Sequence, residues 1–364
     1  GRVGVALDSF RDFQTIYEAF TGERDIDKVA SNFTINAPAA VIIAMYAALA
    51  EKRGIPLTKL RGTPQNDILK EFIARGTYIY PPGPSMRLFR DTLVFCRKQL
   101  PKLNVTSIGG YHIREAGANR IQDLAFSFAI GCAYLQAGVD AGLDIDDFAP
   151  MVTFNAFGGS MQLYHEAAFH RVARRMWARL VKERFGAKNP RGMMIRQPIA
   201  AHIGCTSTTL QRPLNNLARA MVGGIAGGMC GALPAAYPPF DEPLGLGHSL
   251  EAIQLQVDAT RVLIYEAGVA DVNDPWAGSY FMESLTDETE AAAQAELEKI
   301  DEMGGAVAAV ESGYMQRAIA KSAYERQKRI ESQEELMVGV NCFTGDKELE
   351  VSVQRAVDEL YDPG

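Results

Sequence analysis

Short runs rich in Val, Ile and Thr alternate along this chain with longer stretches of helical period. That alternation is its strongest constraint, because it is the pattern of βαβ units and a parallel sheet. The runs are Asn32 to Asn36, Leu60 to Gln65, Val105 to His112, Met151 to Ala156, Met193 to Ala200 and Met229 to Ala236. Helices are predicted between them over Pro38 to Arg53, with its proline at the first helical position, Ser85 to Gln99, Arg120 to Gly138 and Leu163 to Phe185. Such units in unbroken succession favour an α/β barrel of the (β/α)8 TIM type, and spacing alone leaves an open doubly wound sheet as the alternative. From about Thr286 the β signal fades into three helical stretches, the last ending near Gln333. One short strand over Leu336 to Val340 and a charged amphipathic helix over Asp346 to Leu360 follow. The predicted organisation is a barrel over 1–285 and a helical extension over 286–364.

Composition narrows the class. Hydrophobic residues make up 47% of the 364 and charged residues 22%, enough for a sizeable core and no case for disorder. A net charge of -7 without a Lys/Arg block argues against nucleic-acid or membrane-surface partners. The 5 cysteines lie far apart with no CxxC pair, so neither a disulfide framework nor a zinc site is supported and a reducing compartment fits. The most apolar stretch, Ala37 to Ala50, is too short to span a bilayer. A cytoplasmic protein is expected, or one of the mitochondrial matrix in a eukaryote.

The strands have an unusual makeup for a barrel interior, which is normally filled by bulky Val, Ile and Leu. Thr106, Ser107, Gly109, Gly110, Thr153, Ala156, Ala200, Ala201, Gly231, Ala232, Ala235 and Ala236 are small or hydroxylated. Such strands either leave a lumen for an elongated ligand or let helices dock closely.

Two stretches carry most of the chemistry. In Arg61 to Arg87 a polar Gln65 ends a strand and Arg75 precedes an aromatic, proline-rich loop. A guanidinium there is suited to paired hydrogen bonds with a carboxylate or phosphate; the other reading is a surface arginine closing a helix. In Ser107 to Gly117, glycines let the backbone approach a ligand while Tyr111, His112 and Glu115 crowd a strand end, where barrel active sites sit. A histidine in such a place is also often structural. Three look-alikes fall away. His165 and His170 in HEAAFH are five apart and point about 140° from each other on a helix, which disfavours metal ligation. GGIAGG, Gly223 to Gly228, lacks GxGxxG spacing and suits close packing instead. Arg171, Arg174, Arg175 and Arg179 read as a solvated helix face.

At these motifs a resemblance becomes specific. QNDILKEF and TYIYPP, GYHIREAG, TLQRPLNNLAR (Thr209 to Arg219), FDEPLGL (Phe240 to Leu246), DPWAGSY (Asp274 to Tyr280), EMGG (Glu302 to Gly305) and VGVN (Val338 to Asn341) resemble, in the same order, segments of methylmalonyl-CoA mutases. The resemblance covers nearly the whole chain. It implies a (β/α)8 barrel threaded by the CoA arm and capped by a separate cobalamin-binding domain. It implies a radical isomerase dependent on adenosylcobalamin that rearranges a carboxylated acyl-CoA, with methylmalonyl-CoA and succinyl-CoA as the default pair. Arg75 matches the family's substrate-carboxylate arginine, Gln65 its substrate-contacting glutamine, Tyr111 and His112 the catalytic pair beside the thioester, and Glu115 and Glu242 the acids that hold the adenosyl ribose.

Departures set the remaining expectations. The DxHxxG cobalamin signature is absent, so the cobalt ligand is expected from a cobalamin-binding small subunit or a missing C-terminal domain, in a dimer. The family's first barrel strand and CoA-gripping arm lie upstream of Gly1, which suggests a fragment of a longer protein. Pro238 replaces an expected asparagine, Met151 an expected arginine, and Arg196 to Thr208 is about two residues longer than usual, without the expected His and Gln. Asn155 and Ala156 follow Thr153 and Phe154 where adjacent aromatics are usual, which points to an acyl group other than, or larger than, methylmalonyl. A non-catalytic barrel subunit of a mutase heterodimer is the reading from another class.

Overall fold

The computed structural model describes residues 5–195, 199–202, 204, 206–232, 234–245 and 248–345. The molecule is a mostly helical α/β protein whose strands are short and parallel. Strand β1 (Ala30–Phe33) pairs with β2 (Arg61–Pro64) in the register Ala30 to Arg61. Strand β3 (Thr106–Ile108) pairs with β4 (Val152–Phe154), Thr106 facing Val152. Strand β5 (Ala156–Gly158) pairs with β6 (Ile199–His202). A parallel bridge between Gly62 and Leu103 ties β2 to the approach to β3, and the Asn155 N–H donates to the Ile108 carbonyl at 2.8 Å, so β4 and β5 form one bent run. The strands therefore lie side by side in chain order. Parallel neighbours require crossovers, supplied by helices α1 (Ala39–Lys52), α2 (Pro82–Gln99), α3 (Arg120–Asp140) and α4 (Leu163–Arg179).

Local chemistry explains the helix starts. Asn119 caps α3 through its side chain, which accepts from the Ile121 and Gln122 N–H groups, and Gln122 reaches back in a capping box. Pro38 stands at the N-cap of α1, one position earlier than expected. The core centres on α3, where Phe128 meets Phe154 edge-on at 5.8 Å and Trp177 at 5.7 Å. Three further helices, α6 (Tyr280–Glu302), α7 (Ala306–Glu311) and α8 (Tyr314–Glu331), follow, and α6 packs on both α3 and α4. Between them, α5 (Asn215–Met229) lies against α4 and β6.

Several expectations are corrected. The run Met229 to Ala236 is not a strand among its described residues. Helix α5 runs to Met229 and ends in a turn with Gly231 at φ 77, where the Ala232 N–H returns to the Gly227 carbonyl at 2.9 Å, a C-terminal cap that favours glycine. The strand expected to reach His112 stops at Ile108, because the Gly109 N–H donates to Asp67 rather than to a neighbouring strand, and Gly110–Glu115 is helical. Met193 closes a helical turn, and the β6 strand begins only at Ile199. Val338 makes a single bridge to Cys342 instead of a strand over Leu336 to Val340. The arginine face of α4 is partly covered by α6: Arg171 pairs with Asp274 and Glu283 and Arg175 with Glu290, whereas Arg179, which also meets Glu290, stays exposed as expected. The helix expected over Asp346 to Leu360 lies outside the described residues. The GGIAGG glycines do serve packing, since a Cβ on Gly224 would come within 2.6 Å of Leu263.

Candidate active site

The site begins where β2 ends. Asn66 adopts φ 42, a left-handed conformation that asparagine tolerates better than most residues, and turns the chain sharply after Gln65. Asp67, fully buried, then ties three elements together. Its backbone N–H donates to Asn36 Oδ1 at 2.9 Å, and its carboxylate accepts from the Gly109 N–H at 2.9 Å and the Tyr134 hydroxyl at 2.8 Å. Burial raises its pKa, opposed by the charge of Lys70 and by these hydrogen bonds. The next turn is unusual in burying both Lys70 and Glu71 completely, the two joined at 2.6 Å. Burial lowers the Lys70 pKa, while Asp67 and Glu71 oppose the shift.

Arg75 ends a π-helical turn, Glu71–Arg75, closed by Gly76 at φ 74. Its Nη1 lies 3.2 Å from His112 Nε2. A guanidinium only donates, so Nε2 accepts and the imidazole is neutral in this arrangement. His112 is buried on the short helix that follows β3 and stands beside Gly109; a Cβ on Gly109 would lie 2.9 Å from His112 Nδ1 and 3.7 Å from Gln65 Nε2. Glycine there is what lets the two side chains share one wall. Tyr111 lies alongside, its ring centroid 3.8 Å from that of His112. Burial pushes the Tyr111 phenol up to about 12, and its hydroxyl also feels the charges of Arg75, Glu115 and Glu242.

Arg75, His112, Tyr111 and Gln65 thus converge as expected, whereas the two acids are each held by their own loop. Glu115 accepts from the Thr206 N–H at 3.2 Å and from its hydroxyl at 3.3 Å, and a Cβ on Gly204 would collide with its carboxylate. Glu242 Oε2 lies 3.0 Å from His248 Nε2, and His248 Nδ1 3.1 Å from Asp241. Both carboxylates accept hydrogen bonds only, which are the acceptors a ribose diol requires, and the charges of both reach Tyr111. Met151 is buried in the turn before β4, and the Thr106 and Thr153 hydroxyls donate to backbone carbonyls of neighbouring segments. These hydroxyls serve the sheet. A Cβ on Gly110 would strike Asp123 and Phe157, so this glycine admits close packing.

Sequence reasoning missed Asn36, Lys70, Glu71 and Tyr134 as supports of the site. One signal was present: a Lys-Glu pair between Leu69 and Phe72, inside an otherwise apolar turn, has no ready path to solvent.

Comparison with known proteins gives concordant results. The family model for methylmalonyl-CoA mutase matches residues 1–361. A probable mitochondrial methylmalonyl-CoA mutase of Caenorhabditis elegans is 40% identical over 353 residues, 97% of this chain and 46% of that protein. The Escherichia coli methylmalonyl-CoA mutase is 38% identical over 97% of the chain and 48% of its own length. The large subunit of 2-hydroxyisobutanoyl-CoA mutase of Aquincola tertiaricarbonis is 37% identical over 96% of the chain and 60% of its own length. The chain spans about half the length of the curated relatives it matches.

Proposed function

The chain belongs to the methylmalonyl-CoA mutase family, and from that premise we propose that it is the catalytic barrel part of an adenosylcobalamin-dependent acyl-CoA mutase, an isomerase. The proposed barrel occupies 1–285, with 286–364 as a helical extension; parallel strands lying in chain order support it. The proposed reaction moves the thioester carbonyl group between neighbouring carbons of a carboxylated acyl chain, by default methylmalonyl-CoA to succinyl-CoA. The observation that carries the reading is the contact between Arg75 and His112 at one wall with Gln65.

When bound, adenosylcobalamin supplies the carbon radical that starts such a rearrangement, and its cobalt is held by a cobalamin-binding domain or subunit. Glu115 and Glu242 would hold the adenosyl ribose. Arg75, exposed at the rim, pairs with the substrate carboxylate and so leaves His112. The neutral imidazole then donates a hydrogen bond to the thioester oxygen without giving up a full proton, and Tyr111 closes the wall beside it. Burial of His112 keeps this bond in a region of low dielectric.

The test is Arg75→Gln in the complete enzyme with its cobalamin-binding part. Once substrate and the cobalamin-binding part cover Arg75 the pair is desolvated, and loss of one half of such a pair costs about 2–5 kcal/mol, so kcat/KM for methylmalonyl-CoA falls by about thirtyfold or more. Binding of isobutyryl-CoA, which has a methyl in place of the carboxylate, stays close to wild type. Equal loss for both esters assigns Arg75 a structural role. The 2-hydroxyisobutanoyl-CoA mutase relative motivates a second arm with branched hydroxyacyl esters, favoured by Asn155 beside Phe154 on the bent β4–β5 run.

A further inference from the structure

Lys70 is the most costly side chain in the neighbourhood to bury: its ammonium is wholly out of solvent, and a buried ion pair is in general a poor source of stability. Its contacts show what the charge does. Lys70 Nζ donates to Glu71 Oε1 at 2.6 Å and to Gln65 Oε1 at 3.1 Å. Asn36 Nδ2 donates to the same two oxygens, at 2.8 Å to Gln65 and 2.5 Å to Glu71. The orientation of Asn36 is settled independently, because its Oδ1 accepts the Asp67 N–H. An ammonium has no acceptor, so the atom of the Gln65 amide that faces Lys70 must be the oxygen. The Nε2 amide nitrogen is then forced to the opposite side, toward Gly109 and His112, and among the described residues no acceptor meets it.

We infer that Lys70 and Asn36 are positioning residues that lock the Gln65 amide with its N–H pair turned into the acyl site. The wall formed by Gln65 and Arg75 therefore offers donors only and selects acyl groups that present acceptor oxygens, a carboxylate above a hydroxyl. Either donor alone forbids the Gln65 amide from turning over, since the ammonium has no acceptor and Asn36 Nδ2 is held as a donor by the Asp67 contact; the amide is released only when both are lost. The inference rests on the placement of Gln65 at the acyl pocket proposed above.

The experiment measures dissociation constants by calorimetry on the complete, cobalamin-loaded enzyme for three probes: methylmalonyl-CoA, 2-methyl-3-hydroxypropanoyl-CoA, in which CH2OH replaces the carboxylate, and isobutyryl-CoA. In the double variant Lys70→Met/Asn36→Ala, which removes both donors to the Gln65 oxygen, affinity for methylmalonyl-CoA falls about tenfold or more, the hydroxyl ester loses less, and isobutyryl-CoA is unchanged. Gln65→Glu keeps an acceptor against Lys70 but turns a second acceptor into the site; it binds the hydroxyl ester more tightly than methylmalonyl-CoA. This variant carries the test if the double variant does not fold. Unchanged order of the three esters in Gln65→Glu, or equal loss of all three in the folded double variant, overturns the lock. Failure of the wild type to rearrange any ester while this order of binding holds would instead refute the mutase reading alone.

Discussion

Two buried knots of charge lie under the site, and they differ in whether anything is left over. The first joins Asn36, Gln65, Lys70 and Glu71, and leaves the Gln65 N–H groups pointing outward. The second lies beneath the short helix bearing Tyr111 and His112. Arg114 meets Glu166 at 2.8 and 2.9 Å and donates to the Gly158 carbonyl, while Asp123 accepts from the Gly158 N–H and from Ser127. Ser160 also donates to Glu166, and the guanidinium lies 5.4 Å from the centre of the Phe169 ring. The second knot closes on itself and fastens helix to strand. Buried charge thus serves two ends beneath one site: the closed knot sets where the backbone runs, and the open one sets which way a side chain faces.

The largest expected effect breaks the closed knot. Arg114→Met strands Glu166 and Asp123 without their cation, and loss of one partner of a buried pair costs about 3–5 kcal/mol. Urea unfolding of the variant measures it, and adding Glu166→Gln recovers part of the loss. A variant as stable as wild type would erase the distinction between the knots.

A functional contrast comes next. His112→Ala lowers kcat by about tenfold or more with little change in CoA-ester affinity, because its hydrogen bond strengthens as the thioester changes. Unchanged kcat with a raised KM would make His112 a binding residue only.

The smallest effect sharpens the comparison through pH. Burial, aided by Glu166 and opposed by Arg114, raises the Asp123 carboxyl to about 7, so the stability it contributes is present below pH 4 and is lost as pH rises through about 7. Burial lowers His170 to about 4, so its contribution is present above pH 6.5 and is lost as pH falls through about 4. The two slopes oppose each other between. Asp123→Asn removes one of them, so its urea midpoint falls more steeply than that of wild type as pH drops from 7 to 4. Parallel profiles for the two proteins would show that Asp123 does not titrate in this range.

Much of the framework was legible. The strands at Arg61–Pro64 and Thr106–Ile108 fall inside predicted runs, and Gln65, Tyr111 and His112 were placed at strand ends because polar groups and glycines interrupt apolar alternation there. The strand expected to reach His112 was too long because Gly109 spends its N–H on a side chain, which no periodicity records. Arg171 and Arg175 were read as solvated because their acidic partners come from a helix more than a hundred residues downstream.

What the sequence determined by itself is the alternation of short strands and crossover helices, and with it the parallel order and the faces that turn inward; these follow from local backbone preference and from the period of apolar residues. Only the tertiary structure decided which buried polar groups meet. Asn36 reaches Glu71 across 35 residues and Tyr134 reaches Asp67 across 67, contacts chosen by the juxtaposition of strand ends. The physical reason is that burial of apolar surface is non-directional and leaves a pattern along the chain, whereas a hydrogen bond demands one donor and one acceptor at one distance.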